Sequence, residues 1–336
     1  MAIFTDVFED VTKQGRKIPT SDYLETGLHP IIDQGQSAIA GYTDETEGLF
    51  TDVPAIIFGD HTRVLKYVDK PCFLGADGVK LLKAKIANPN YKYLYYVLSN
   101  ANIPNTGYNR HFKWLKEVDI PLPNADEQQK IVETLDKISE LIALRKEQLA
   151  KLDQLVKSRF IELFHEKNFP VFKWNDVFYT TTGKLDANAM VADGAYPFFT
   201  CAKEVYRIDK YAFDQEALLL AGNNAAGKYD VKYYKGKFNA YQRTYVLSLK
   251  QAWSYQLFRY QLEDKLTYLQ EQSKGSNTRY ITLKILGDLE FIIPPMELQN
   301  EFAAFVEHTD KLKLAIQASL VKLEILKKSL MQEYFG

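Results

Sequence analysis

The sequence predicts a mixed α/β (α+β) protein in which two globular domains are separated by two long helices forming an antiparallel coiled coil, with an internal pseudo-two-fold repeat. Three observations carry this. A leucine-studded run without Gly or Pro covers residues 124–164, a second run at the C-terminus repeats it at a shift of 171, and apolar strand-like segments recur upstream of each. The predicted order is a globular domain (1–119), a helix (120–164), a second globular domain (165–290) and a second helix (291–336).

At 336 residues the chain is long enough for two domains that each bury a core. In the first domain, PAIIFG (54–59) and GVKLLKA (78–84) read as strands and YKYLYYVLSN (91–100) as an aromatic-rich helix. The central helix follows Pro121 and Pro123, with Asn124 or Asp126 able to cap its first turn. Ile131, Leu135, Ile138, Ile142, Arg145, Leu149, Leu152 and Val156 recur every 3.5 residues on average, the spacing that keeps one seam against a partner helix. About 38 residues at 1.5 Å each make a rod of about 57 Å, longer than one small domain can surround.

The second domain offers ALLLAG (217–222), TYVLSLK (244–250) and a helical stretch over 254–270. In the C-terminal helix Phe302, Val306, Thr309, Lys313, Ile316, Leu320, Leu323 and Lys327 occupy the shifted seam. The flanks agree as well: Pro123 lies over Pro294, Gln128 over Gln299, Lys113 over Lys284, Leu115 over Leu286. Broken seams at Arg145, Thr309, Lys313 and Lys327 are satisfied most simply if the two helices pack on each other, and such breaks fix register.

On these residues the chain resembles the specificity subunit of type I restriction-modification systems, over essentially its whole length. The paired helix entries IPLPNADEQQKI (120–131) and IIPPMELQNEF (292–302) resemble the family's proline–glutamine signature. The stretches IIFGDHTRVLKYVDKPCFLGADGVKLL (56–82) and LLLAGNNAAGKYDVKYYKGKFNAYQRTYVL (218–247) are similar to two types common in its target-recognition domains. The resemblance implies that each domain reads one half of a split, asymmetric DNA site and that the helices set the gap. It implies a subunit without catalytic activity or bound cofactor, docking two methyltransferase subunits that use S-adenosylmethionine for N6-adenine methylation. Restriction and translocase subunits, which use ATP and Mg, join the complex. Gln128, Gln129, Gln299 and Asn300, on outer helix faces, are expected near the docking surfaces.

Reading bases requires paired hydrogen bonds, Arg to guanine and Asn or Gln to adenine, with phosphate contacts for position. Loops of the first domain supply Gln34, Gln36, His61, Thr62, Arg63, Lys66, Asn105, Thr106, Asn109 and Arg110. Those of the second supply Thr181, Thr182, Lys184, Asn223, Asn224, Lys228, Gln242, Arg243, Ser276, Asn277, Thr278 and Arg279. GDHTR (59–63), GNNAAGK (222–228) and KGSNTRY (274–280) stand out, because Gly lets backbone approach a phosphate while its neighbours reach a base. Net charge is −1, split as −2 over 1–119, +3 over 165–290 and −1 in each helical segment, so salt-dependent affinity from this chain alone is expected to be modest.

Other classes find little support. TTTGK (180–184) lacks the first glycine of a P-loop, and NPNY (88–91) lacks the second proline of an adenine methyltransferase motif, so it reads as a helix start. The five histidines are scattered, Asp60 and Asp77 are not placed together by spacing, and Cys72 and Cys201 have no CxxC partner. No metal site is expected. Two isolated cysteines, an acidic N-terminal stretch and no apolar run near the roughly 20 residues of a membrane span point to the cytoplasm. The competing reading is a non-DNA scaffold whose end domains bind peptide or carbohydrate, for which near-zero net charge is the best argument.

Overall fold

The structure, a computed structural model, describes residues 1–75, 78–165, 168–225, 227–275 and 278–336. The chain forms two compact units, Met1–Glu147 with Gln317–Gly336, and Gln148–Ile316. Both long helices therefore contribute to both units. The central helix is Ala125–Phe164 and the C-terminal helix Met296–Phe335, each of 40 residues.

In the first unit a four-stranded antiparallel sheet runs in the order Phe8–Asp10, Val79–Ala84, Ala55–Gly59, Leu65–Val68. Ala55–Gly59 is buried at every position because it is covered on both faces, which explains its unbroken apolar run. A smaller sheet joins Gly41–Thr43, His29–Ile32 and Phe73–Leu74, the last two in parallel. Asn90, whose side chain accepts a bond from the Tyr93 amide at 3.1 Å, starts the helix Tyr91–Asn100. That helix buries Tyr93, Leu94, Val97 and Leu98 with Phe4, Ile56 and Phe58 in one core, each fully buried side chain contributing about 1.5–3 kcal/mol.

The same core takes in Val132 and Leu135 of the central helix and Met331 of the C-terminal helix, and the Phe335 ring meets Tyr93 edge-on at 5.7 Å. Further along, Lys146 pairs with Glu324 at 3.2 Å. As one helix ascends from Leu135 to Lys146, the other descends from Met331 to Glu324, so the two segments run antiparallel.

The second unit repeats this framework with a larger sheet, ordered Phe178–Thr182, Thr244–Leu249, Phe213–Ala221, Val231–Ala240, Tyr196–Phe199, Tyr206–Ile208. Correspondence extends to single bonds. The Phe4 amide donates to Val118 O at 3.0 Å and the Trp174 amide to Leu289 O at 3.1 Å; Lys85 and Lys250 donate likewise to Val7 O and Val177 O. The Tyr91 hydroxyl accepts from the Ala84 amide, as the Tyr255 hydroxyl does from Leu249. Here Val156, Leu163 and Phe164 of the central helix pack with Phe302 and Val306. Asp153 meets Lys313 at 2.6 Å and Arg159 meets Glu301, again an antiparallel pairing.

Every seam position named from the sequence is buried or half-buried, including Arg145, Thr309, Lys313 and Lys327. The helical stretch 254–270 is divided at Lys265 into two helices, Tyr255–Asp264 and Leu266–Gln272, and Leu269 of the second turns into the core. One expectation is corrected. Gln299 is not on an outer face: it is 1% exposed, accepts from the Ser254 amide at 3.0 Å and donates to Pro294 O at 2.8 Å. Half-buried Gln128 makes the matching bond to Pro123 O at 2.9 Å. Each glutamine side chain thus ties the proline carbonyl that precedes its helix to the helix's first turn. Among the described residues no helix is long and apolar enough to cross a membrane.

Candidate nucleic-acid interface

In the first unit three loops named from the sequence come together. The loop after Ala55–Gly59 carries Asp60, His61, Thr62 and Arg63, with Arg63 in a left-handed conformation at φ 62°. Its neighbour, 104–110, is exposed throughout and carries Asn105, Thr106, Asn109 and Arg110. Asp60, 5% exposed, fastens one to the other: its carbonyl accepts from the His111 amide at 2.7 Å and bonds His111 Nδ1 at 2.9 Å, while its carboxylate accepts from the Phe112 amide at 2.7 Å. Arg63 Nη1 donates to Ile103 O at 3.1 Å and His61 Nδ1 bonds Asn109 O at 3.2 Å.

The third loop, 33–37, joins through Gln34, whose side-chain oxygen accepts from the His61 amide at 3.2 Å and whose carbonyl accepts from the Thr62 hydroxyl at 2.6 Å. Within 104–110, Asn105 accepts from the Gly107 amide at 3.2 Å, and Asn109 donates to Thr106 O and Thr106 Oγ1. Gln36 and Arg110 are exposed.

Lys66 stands apart from this group. Its side chain is buried, donating to Ser37 O at 2.6 Å and pairing with Asp33 at 3.4 Å; burial pushes its ammonium below the usual lysine range, against the pull of Asp33. Lys232, opposite Leu219 as Lys66 is opposite Ile57, makes the same reach to Ala202 O at 2.8 Å. A lysine thus pins a loop carbonyl in both units.

The second unit brings its own candidates together with backbone. Gly222 donates to Arg243 O at 2.8 Å and accepts from the Ile281 amide at 2.9 Å. Asn223 and Asn224 pair with Tyr280 and Arg279 as a short antiparallel ladder, and Arg279 also donates to Gln270 O at 3.2 Å. The Asn224 side chain accepts from the Lys228 amide at 3.3 Å. Gln242 donates its amide to Leu185 O, joining Gly183 and Lys184 to the group. Lys184, Lys228, Gln242, Arg243, Thr278 and Arg279 are exposed. Thr181, exposed, and Thr182, half-buried, lie on the edge strand Phe178–Thr182. Ser276 and Asn277 lie outside the described residues, as does Asp77.

Close approach explains two glycines. A Cβ on Gly183 would stand 1.8 Å from Ala240 O, and one on Gly222 would stand 2.4 Å from Arg243 O. Both exposed groups offer Arg, Asn, Gln and Thr on a rigid base, the side-chain types that read base edges and hold phosphates. Two residues that join these loops were not singled out from the sequence, Asp60 and His111. Asp60 stood inside the quoted GDHTR as an acid amid donors, its only signal. Among the described residues no group of three or more His, Cys, Asp or Glu side chains could hold a metal ion.

Comparison with known proteins adds the following. A family model described as Type I restriction modification DNA specificity domain matches residues 4–154 and 166–325. The EcoDI specificity subunit of Escherichia coli, from a type I restriction enzyme, is 42% identical over 147 residues, 43% of this chain and 31% of that protein. The EcoR124I/EcoR124II specificity subunit of Escherichia coli is 28% identical over 181 residues, 50% of this chain and 43% of that protein. The chain thus spans less than half the length of these two relatives. A putative type I specificity subunit of Mycoplasma pneumoniae, S.MpnORF365P, is 27% identical over 66% of this chain and 87% of its own length. Among solved structures, the S subunit of a type I restriction-modification system from M. genitalium superposes with TM-score 0.68 at 18% identity, covering 99% of this chain and 95% of that one. A chain from a structure of type I R-M complex assembly and conformational transition gives TM-score 0.50 at 16% identity, with 99% and 95% covered. At these identities the structural likeness concerns the fold.

Proposed function

The chain belongs to the family of type I restriction modification DNA specificity domains, and from that premise we infer that it is the non-catalytic recognition subunit of a type I restriction-modification complex acting in the cytoplasm. Each unit reads one half of a split, asymmetric site in double-stranded DNA. The paired helices set the gap and dock two methyltransferase subunits, which bring S-adenosylmethionine and methylate an adenine in each half. Restriction and translocase subunits, with ATP and Mg, join through them. This chain holds no cofactor of its own.

The observation that carries this reading is a framework present twice, with equivalent loops joined in each copy and different donors displayed on them: Arg63, Asn105, Asn109 and Arg110 in one, Asn223, Gln242, Arg243 and Arg279 in the other. Different donors on one framework suit two different half-sites, since Arg pairs with guanine and Asn or Gln with adenine. Target adenines leave the stack to be methylated, so DNA distortion accompanies recognition. The near-zero net charge supports a reading in which the methyltransferase subunits supply much of the phosphate contact.

Single-molecule methylome sequencing of cells expressing the chain with a methyltransferase subunit tests this. A bipartite methylated motif is the expected result; active methyltransferase without such a motif would favour a non-DNA scaffold binding peptide or carbohydrate. Replacing residues 165–280 with another recognition domain should change one half of the motif only. Adding whole heptads to both helices should widen the gap. The isolated chain should bind duplex DNA more weakly than the assembled complex at physiological salt.

A further inference from the structure

Tyr108 lies in the middle of the exposed loop 104–110 and is 86% exposed itself, so it adds little to the packing of the first unit. Its ring is nonetheless held. It stacks on the His61 imidazole with centroids 4.5 Å apart and planes 7° from parallel. His61 in turn is fixed through its amide to Gln34 and through Nδ1 to Asn109 O. Below both, the buried Asp60 and His111 join the two loops. One face of the phenol rests on the imidazole, and the high exposure leaves the rest of the ring to solvent.

An aromatic ring presented in this way has few torsions to freeze and a rigid backing, so little order is lost when a flat partner covers it. Around it stand Asn105, Asn109 and Arg110, exposed donors suited to phosphate and base edges. Exposed aromatics among such donors are how proteins stack on bases that have left, or partly left, the helical stack. Resting on the DNA-reading role inferred above, we propose that Tyr108 is a stacking contact of the first unit: its ring packs against a base, or an opened base step, in the half-site that this unit reads.

The test uses the complex assembled with its methyltransferase subunits and duplexes carrying the motif found by methylome sequencing. Tyr108→Phe keeps the ring, whereas Tyr108→Leu keeps bulk without it and Tyr108→Ala removes both. The Ala and Leu variants should lose about tenfold to a hundredfold in kcat/KM for methylation, and Phe should remain within about threefold of the parent. With 2-aminopurine placed in turn along the half-site of the first unit, at least one position should differ in fluorescence between ring-bearing and ring-less complexes. Leu performing as well as Phe, or no position distinguishing the two classes, overturns the proposal. A parent complex that yields no bipartite motif instead overturns the DNA-reading role, before any variant is compared.

Discussion

In the first unit the loop after Ala55–Gly59 is joined to loop 104–110 by the buried pair Asp60 and His111. At the equivalent place in the second unit, Gly222 O accepts from the Ile281 amide as Asp60 O does from the His111 amide, and the ladder of Asn223 and Asn224 with Tyr280 and Arg279 replaces the side-chain bonds of Asp60 and His111. Helix entries differ in degree as well, Gln299 being buried with two bonds where half-buried Gln128 has one. The comparison teaches that the framework tolerates either fastening, provided the loops are fixed. Side chains above the fastening are then free to differ, and a reading head can change its sequence preference without changing its support.

The largest effect is expected from crowding the close backbone approach at Gly183 in the second unit. Gly183→Ala should cost about 3 kcal/mol or more, because its Cβ meets a carbonyl that cannot withdraw. Hydrogen exchange should then rise in Phe178–Thr182 and Thr244–Leu249 while Ala55–Gly59 keeps its protection; equal loss in both units would contradict independent frameworks. Next, Asp60→Ala leaves the Phe112 amide buried without its acceptor and should destabilise the first unit by about 2 kcal/mol, with Asp60→Asn recovering most of it. Chemical denaturation followed at the first unit's tryptophan, Trp114, decides this.

Much of the helical half was legible beforehand, because a 3.5-residue seam repeated at a fixed shift depends only on spacing along the chain. Arg145 and Lys327 interrupt that seam and are still half-buried on it. The break at Lys265 was not legible, since no Gly or Pro marks it and the reason lies in where Leu269 packs. At the site the loops could be named but their fastening could not. Asp60 and His111 are 51 positions apart, and nothing local says that one will accept from the other. Lys66 shows the converse: a lysine near a candidate loop reads as a phosphate contact until its ammonium is seen to be enclosed by Ser37 O and Asp33.

Smaller effects are expected at the helix entries and at Lys66. Gln299→Ala should cost about 2 kcal/mol and Gln128→Ala about 1, because a buried glutamine leaves more polar groups without partners. Thermal melting of the two variants checks the order, and its reversal would show that the first entry carries the greater share. Smallest is the alkaline response of Lys66. Its lowered value means that the folded state releases the proton more readily than the unfolded chain does, so stability should rise as pH climbs through that lowered value towards the usual lysine range. Lys66→Met should flatten that rise; a slope unchanged in the variant would assign it to another group.

The two units differ in one last respect, which concerns synthesis. The second is a single continuous stretch, Gln148–Ile316, whereas the first includes Gln317–Gly336 and shares its core with Met331 and Phe335. A ribosome working from the N-terminus finishes the second unit earlier, although its sequence begins later. The half of the protein begun first must wait for residues 317–336 before Met331 and Phe335 complete its core. Losing residues 317–336 would therefore harm the domain begun first and spare the one finished earlier.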